Sequence, residues 1–383
     1  MIEMESPVEP ELPICDAHHH LWERRPGRYM LDDLLEDLRA GHNIVSTVAV
    51  ECRYGYRGNG ADALKPVGEV EFLDSVAERV STDPTITPRV AAAIVGHANL
   101  LLGDAVAPVL EAHMAASPRR FCGVRHSTTW DASEAFRSDA ARGLLGDSKF
   151  RQGFAWLAKL GLSFDTWVYH PQLSEVADLA RAFPSVPIIL NHIGGPLGTG
   201  PYAGKRTDVF QLWSSSIVQI AKCPNVVVKL GGVGSLRSGY DWHERAVKPS
   251  SIELAKILQP YFEHCIENFG VDRCLFESNF PVEKVANTYV NLWNAFKRMT
   301  ESYTTDDRAA LFHDTGIRNF LLPLRSQGDL VLAMGEPRLE RAIGVVYLPQ
   351  TERQSHYFQA RMSKQFDAVI HWDVTKAVSP LRP

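Results

Sequence analysis

The chain has 383 residues, 45% of them apolar and 22% charged, with 27 glycines and 23 prolines. This is a globular composition with enough length to bury a large core, and it excludes disordered, collagenous and low-complexity chains. Against 45 Asp and Glu stand 40 Lys and Arg, a formal charge of -5 without a long basic run, so neither nucleic acid nor an anionic membrane surface is an expected partner.

Residues 1–13 read as an N-terminal extension. Glu3, Glu5, Glu9 and Glu11 make it acidic, and it lacks the basic start and apolar run of a signal peptide. Short apolar, β-branched runs then begin near Ile14, Ile44, Val90, Phe121, Leu162, Val186, Val226 and Cys274, giving eight candidate strands. Between them apolar residues recur at helical spacing, as in Leu31, Leu34, Leu35 and Leu38, in Leu254, Ile257, Leu258 and Tyr261, and in Tyr289, Leu292, Trp293 and Phe296. Strands apolar throughout are buried on both faces, so the alternation predicts a closed parallel (β/α)8 barrel over residues 14–323, an α/β fold. A doubly wound sheet fits less well, because the first strand ends in histidines instead of a glycine fingerprint. A last helix is expected from about Thr305 to Phe320.

Residues 324–383 break the rhythm. This tail holds two apolar runs, Ala342 to Leu348 and Phe366 to Trp372, around a polar stretch with Thr351, Glu352, Arg353 and Gln354. Two such strands are too few for an independent domain. The six cysteines are scattered with no C-x-x-C pair, which fits reduced thiols and a cytoplasmic location. No stretch approaches the 18 apolar residues of a membrane span.

The strongest chemical signal is Asp16-Ala17-His18-His19-His20 at the end of the first strand. Alternation puts His18 and His20 on one side, where two imidazoles can meet one metal ion; the other reading is a polar strand end. His170 and His192 end the fifth and sixth strand segments, at the barrel face that carries active sites. His97 and His126, after strands three and four, are further candidates, whereas His42, His113, His264 and His313 sit in helical or linker segments. Near the end of strand eight stand Glu277 and Asn279. Glu277 can handle a proton or can form a buried ion pair with Lys229 or Arg125. Asn279 cannot act as a base. Arg125 and Lys229 are candidates to bind a substrate carboxylate or oxyanion. Gly231, Gly232 and Gly234 can form an anion nest or a plain turn.

Taken together, DAHHHLW, FCGVRH, LSFDTWVYHPQL, VPIILNHIGGP, VVVKLGG and CLFESNFPVEK resemble the amidohydrolase superfamily. Within it they are similar to the amidohydrolase-related TIM barrels that include 2-pyrone-4,6-dicarboxylate lactonase, sugar lactonases and metal-dependent decarboxylases. The resemblance implies metal ligands at His18, His20 and His170 and a catalytic role for His192. The chain departs from the family in strand eight, where Glu277 occupies the glycine place and Asn279 the aspartate place. It also lacks the strand-four lysine of binuclear members, so at most one divalent ion, such as zinc or manganese, is expected and no organic cofactor. The tail, Arg341 to Val378, resembles the end of the erythromycin esterase family, and Glu352, Arg353 and His356 are read there as structural.

The expectation is a hydrolase opening a lactone or similar ester of a small carboxylated molecule, with Glu277, His192 and Asn279 at the catalytic centre. The alternatives are a non-oxidative decarboxylase and a barrel that binds a ligand without turnover. A small-molecule substrate is the expected partner, and a homo-oligomer is compatible with the tail's apolar residues.

Overall fold

The structure is a computed structural model that describes residues 5–24, 27–136 and 138–312, together with the backbone of four short strands further on. The chain divides into one unit over residues 1–315 and a second over residues 316–383.

The first unit carries an eight-stranded sheet, every neighbouring pair parallel, in chain order: β1 (Ile14–His19), β2 (Ile44–Val50), β3 (Arg89–Gly96), β4 (Phe121–Arg125), β5 (Ser163–Thr166), β6 (Ile188–Leu190), β7 (Val226–Leu230) and β8 (Cys274–Phe276). All eight predicted strands are present. The sheet curls into a nearly closed barrel. Its seam is drawn together just past β8, where His19 bridges Phe280, the His20 N–H donates to the Phe280 carbonyl at 2.8 Å and the Asn279 N–H to the His18 carbonyl at 2.8 Å. The barrel therefore closes at the height of the histidine motif.

Helices return the chain between strands: α1 (Leu31–Leu38), α2 (Val67–Ser81), α3 (Ala107–Ala116), α4 (Ser148–Leu160), α5 (Leu173–Ala182), α6 (Arg206–Ala221), α7 (Ser251–Phe269), α8 (Tyr289–Met299) and α9 (Thr305–Phe312). Most of them bury an apolar stripe in the barrel's core. In α1, Leu31, Leu34, Leu35 and Leu38 are buried, and in α8, Tyr289, Leu292, Trp293 and Phe296. With Ile94, Val124, Phe164, Ile188, Val228 and Phe276 they form one contiguous core, each fully buried side chain worth roughly 1.5–3 kcal/mol.

The last helix is shorter than expected. It stops at Phe312 within the described residues, and Asn319–Pro323, part of the predicted helix in its first two residues, is a strand, β9, in the second unit. β9 pairs antiparallel with β12 (Ala368–Trp372), and β10 (Arg338–Arg341) pairs antiparallel with β11 (Tyr357–Ala360). The second predicted apolar run is thus largely a strand. The first, Ala342 to Leu348, lies outside the described residues, as do Glu352, Arg353, His356 and His313.

At the barrel end opposite the histidines, the N-terminal extension is pinned down. Val8 N–H donates to Asn294 Oδ1 at 2.7 Å, and the Lys297 ammonium donates to the carbonyls of Val8 and Glu9 at 3.0 and 2.7 Å and to His42 Nδ1 at 3.0 Å. No disulfide joins the six cysteines, and no described helix is long and apolar enough to cross a membrane.

Candidate active site

Strand alternation places the first-strand motif as its spacing demands. His18 and His20 share a side with their Nε2 atoms 3.2 Å apart, while His19 turns away to Thr47 Oγ1 at 2.9 Å. His20 Nδ1 lies 2.8 Å from the Val50 carbonyl, which only accepts, so its hydrogen sits on Nδ1 and its lone pair faces His18. Burial, with the neighbouring cations Lys229 and Arg125, pushes the pKa values of His18 and His20 well below the usual imidazole value. Asp16 ties the seam: it accepts from Ser278 N–H at 2.8 Å, Ser278 Oγ at 2.6 Å and Tyr289 Oη at 3.0 Å.

Glu277, fully buried one residue beyond β8, meets this motif. Its Oε1 accepts from His192 at two places, Nδ1 at 2.6 Å and the backbone N–H at 3.1 Å. Its Oε2 lies 2.9 Å from His18 Nδ1 without the alignment of a hydrogen bond. His192 reaches this position through left-handed backbone at His192 (φ 54°) and Ile193 (φ 49°), and Trp213 Nε1 grips the Ile193 carbonyl at 2.7 Å. A β-branched residue in that region is a strained one, and such strain gathers at functional sites. The loop after β7 passes so close that a Cβ on Gly231 would sit 2.4 Å from Glu277 Cγ, and one on Gly232 (φ +68°) 2.2 Å from His192 Nδ1. Gly231 and Gly232 thus admit backbone against the two key side chains, and the chain turns just after them at Val233 and Gly234.

Arg125 and Lys229 also reach the cluster, but they are engaged. Arg125 Nε donates to Glu51 Oε1 at 2.8 Å and Nη2 to the Glu51 carbonyl at 2.5 Å, leaving Nη1 3.2 Å from His18 Nε2. Lys229 Nζ donates to Asp165 Oδ2 at 2.7 Å and stands 3.4 Å from His18 Nδ1. Each of the two cations expected to bind a substrate carboxylate is thus paired with a buried carboxylate of its own and stands beside His18. Neither forms the ion pair with Glu277 weighed from the sequence. Glu51 and Asp165 were missed, because their partners lie 74 and 64 residues away along the chain.

His170 is not brought to the cluster. β5 ends at Thr166, four residues earlier than the sequence suggested, so His170 opens a 3-10 turn. There its Nδ1 accepts from Leu197 N–H at 3.3 Å and its ring packs edge-on against Tyr202. Asn279 (φ 54°) gives its backbone to the seam; its buried Oδ1 has no hydrogen-bond partner. Beside it, buried Glu283 accepts from Gly234 N–H at 2.6 Å and Asn287 Nδ2 at 3.3 Å.

Next to the cluster a cleft of about 620 Å³ opens at the strand C-termini, lined by His97, Asn99, His126, Thr129 and Trp167 among others. The Trp167 ring packs edge-on against His192, with centroids 4.7 Å apart. Two further cations line the cleft, Arg53, 3.3 Å from Asp139, and Arg237, 6.0 Å over the Tyr169 ring.

A sequence profile described as Amidohydrolase matches residues 15–322, the whole barrel. The chain belongs to the amidohydrolase family. A second profile, Erythromycin esterase, matches residues 287–375, a span that includes α8 and α9. The amidohydrolase is 31% identical to the uncharacterised protein y4mH of Sinorhizobium fredii over 79% of this chain and 97% of that protein. It is 25% identical to L-fucono-1,5-lactonase of Burkholderia multivorans over 80% of this chain and 96% of that enzyme. In fold it is similar to a Burkholderia multivorans amidohydrolase crystallised with bound zinc, with TM-score 0.61, 23% identity and coverage of 80% and 98%. Like its family, it is a hydrolase.

Metal ions are usual in this family, and the residues of this amidohydrolase fit one. His18, His192 and Glu277 offer ligand atoms within 4.8 Å of one another. The Glu277 Oε2 atom, buried and short of a hydrogen bond, is the kind of oxygen that a cation satisfies. His20 stands beside this group and His170 outside it.

Proposed function

We propose that this amidohydrolase opens a lactone by attack of water on the ring carbonyl. The observation that carries the reading is the fully buried Glu277 carboxylate bonded at 2.6 Å to His192 Nδ1. A carboxylate accepting there keeps the hydrogen on Nδ1, so the Nε2 lone pair of His192 is the base that takes a proton from water, and Glu277 steadies the imidazolium that results. His192 then returns the proton to the ring oxygen as the ester bond breaks. Trp167 restricts water around the imidazole. Arg125 and Lys229 fix the His18 ring between them.

The lactonase name of the Burkholderia multivorans relative supports the choice of a lactone. One divalent ion such as zinc, held at His18 and Glu277 with His192 in reach, would supply Lewis-acid polarisation of the carbonyl. On this reading residues 324–383 are an appendage to the catalytic barrel and not a second active site.

The test is acid release from a panel of 1,4- and 1,5-lactones, including L-fucono-1,5-lactone, followed with a pH indicator beside carbon dioxide release from aromatic acids. Acid release is expected. Carbon dioxide from an aromatic acid with no lactone turnover would replace this reading with the decarboxylase one.

A further inference from the structure

The proton-handling pair does not use two histidines of the cleft. His97 and His126 meet edge to face with ring centroids 5.4 Å apart, and both line the cleft with Asn99, Ser127 and Thr129. Their backbone contacts fix opposite tautomers. His97 Nδ1 lies 2.9 Å from the Arg125 carbonyl, a group that only accepts, so in the neutral ring Nδ1 carries the hydrogen and Nε2 the lone pair. His126 Nδ1 is met at 3.3 Å by the Leu100 N–H, a group that only donates, so its hydrogen sits on Nε2. Burial pushes the His126 pKa down to about 3, which keeps that ring neutral. His113 Nε2, 2.9 Å from the His97 carbonyl, holds the segment in place. No hydrogen bond to a described residue engages either Nε2.

We propose that His97 and His126 are specificity-determining residues, one accepting and one donating, that together read a hydroxyl group of the substrate. The proposal rests on the lactonase reading and narrows it to lactones of polyhydroxylated acids. A hydroxyl is the small neutral group that both donates and accepts. A methylene in its place leaves the His126 N–H unpaired in a partly buried site, and a carboxylate meets a lone pair at His97; either mismatch costs binding. Arg125 and Lys229, the cations nearest the reacting centre, are held by Glu51 and Asp165 and do not compete for this role.

The variants His97→Asn and His126→Asn separate reading from folding. An asparagine places its amide where Nδ1 stood, so it can still donate to the Arg125 carbonyl or accept from the Leu100 N–H, but nothing replaces Nε2. The measurement is kcat/KM for glucono-1,5-lactone divided by that for δ-valerolactone, the same ring with and without hydroxyls. The wild-type ratio is expected to be large, and each Asn variant to lower it about tenfold, the factor that one lost hydrogen bond of about 1.4 kcal/mol predicts. His126→Gln, which returns an N–H near the Nε2 position, is expected to recover part of the loss. A wild-type ratio near one, or Asn variants that keep the ratio within twofold, overturns the proposal while leaving the lactonase reading intact. If neither lactone is turned over, calorimetric binding of gluconate against pentanoate decides. A gluconate preference lost in the Asn variants supports the histidine pair although the lactonase reading has failed, and no such preference, or one the variants keep, overturns it.

Discussion

Each end of this barrel buries a lysine, and the two are accommodated in different ways. At the mouth, Lys229 meets the Asp165 carboxylate at 2.7 Å, next to the parallel pair of Arg125 with Glu51, so opposite charges meet around His18. At the base, Lys297 has no carboxylate on its ammonium: two carbonyls and one imidazole accept from it, all brought by the N-terminal extension and by His42. The mouth arrangement orients a reactive ring with fixed charges. The base arrangement staples a chain terminus to α8. Function and stability should therefore come apart between the two ends, and mutations can test whether they do.

The largest expected effect is at the mouth. Glu277→Gln keeps the shape of the side chain and removes the charge that supports His192 as a base, so kcat should fall by about 10²–10⁴, with little change in melting temperature. His192→Ala should match it, because the two act as a unit. A Glu277→Gln protein with kcat within threefold of wild type would dissolve the pair and leave the mouth as structural as the base. At the base, Lys297→Met should leave kcat/KM within twofold but cost about 1–3 kcal/mol in urea unfolding, since the buried His42 imidazole and two half-buried to exposed carbonyls lose their donor. An activity loss there as large as the stability loss would show that the two ends are coupled. Metal content is the third discriminator: about one divalent ion per chain is expected by elemental analysis, lost in His18→Ala and kept in Lys297→Met.

The contrast also explains what the sequence could disclose. Strand positions and the H-x-H geometry follow from local rules, β-branched runs and the two-residue alternation of a strand, so eight strands and the His18–His20 pair were legible. The convergence of His192 on Glu277 was anticipated only as a shared mouth. Its geometry depends on left-handed backbone at His192 and Ile193 and on glycines pressed against both side chains, features that no periodicity encodes. Pairings such as Arg125 with Glu51 are set by which strands become neighbours. Their signal was present, since Glu51 follows β2 directly, but a carboxylate beside a strand end has several cations to choose from. His170 misled because an aromatic, β-branched stretch reads as strand to its end, while the ladder stops at Thr166 and the chain turns at His170. His42, set aside as a bystander, proved to be a partner of Lys297.

The smallest effect is the most specific to the comparison, because burial moves an acid at the mouth and a base at the bottom to the same pKa. Burial, with the nearby negative charge of Glu277, pushes Glu283 up from 4.5 to about 8 against the Gly234 N–H, and burial pushes Lys297 down from 10.5 to about 8. Between pH 4.5 and 8 the folded protein holds the Glu283 proton that the unfolded chain releases, so this group's contribution to stability is full below pH 4.5 and declines as pH rises to 8. Between pH 8 and 10.5 the unfolded chain holds the Lys297 proton that the folded protein releases, so stability from this group rises with pH. The variants should each remove one limb. Glu283→Gln should show its greatest deficit against wild type near pH 5 and a smaller one at pH 8, and the deficit of Lys297→Met should grow from pH 8 to pH 10. Urea midpoints at pH 5, 8 and 10 measure both. A Glu283→Gln deficit equal at pH 5 and 8 would mean that the carboxyl stays ionised in the fold, with Asn287 and the Gly234 N–H outweighing its burial. The mouth would then hold one more fixed charge beside Glu277, and the acid–base pair would work in a more negative setting than the one described.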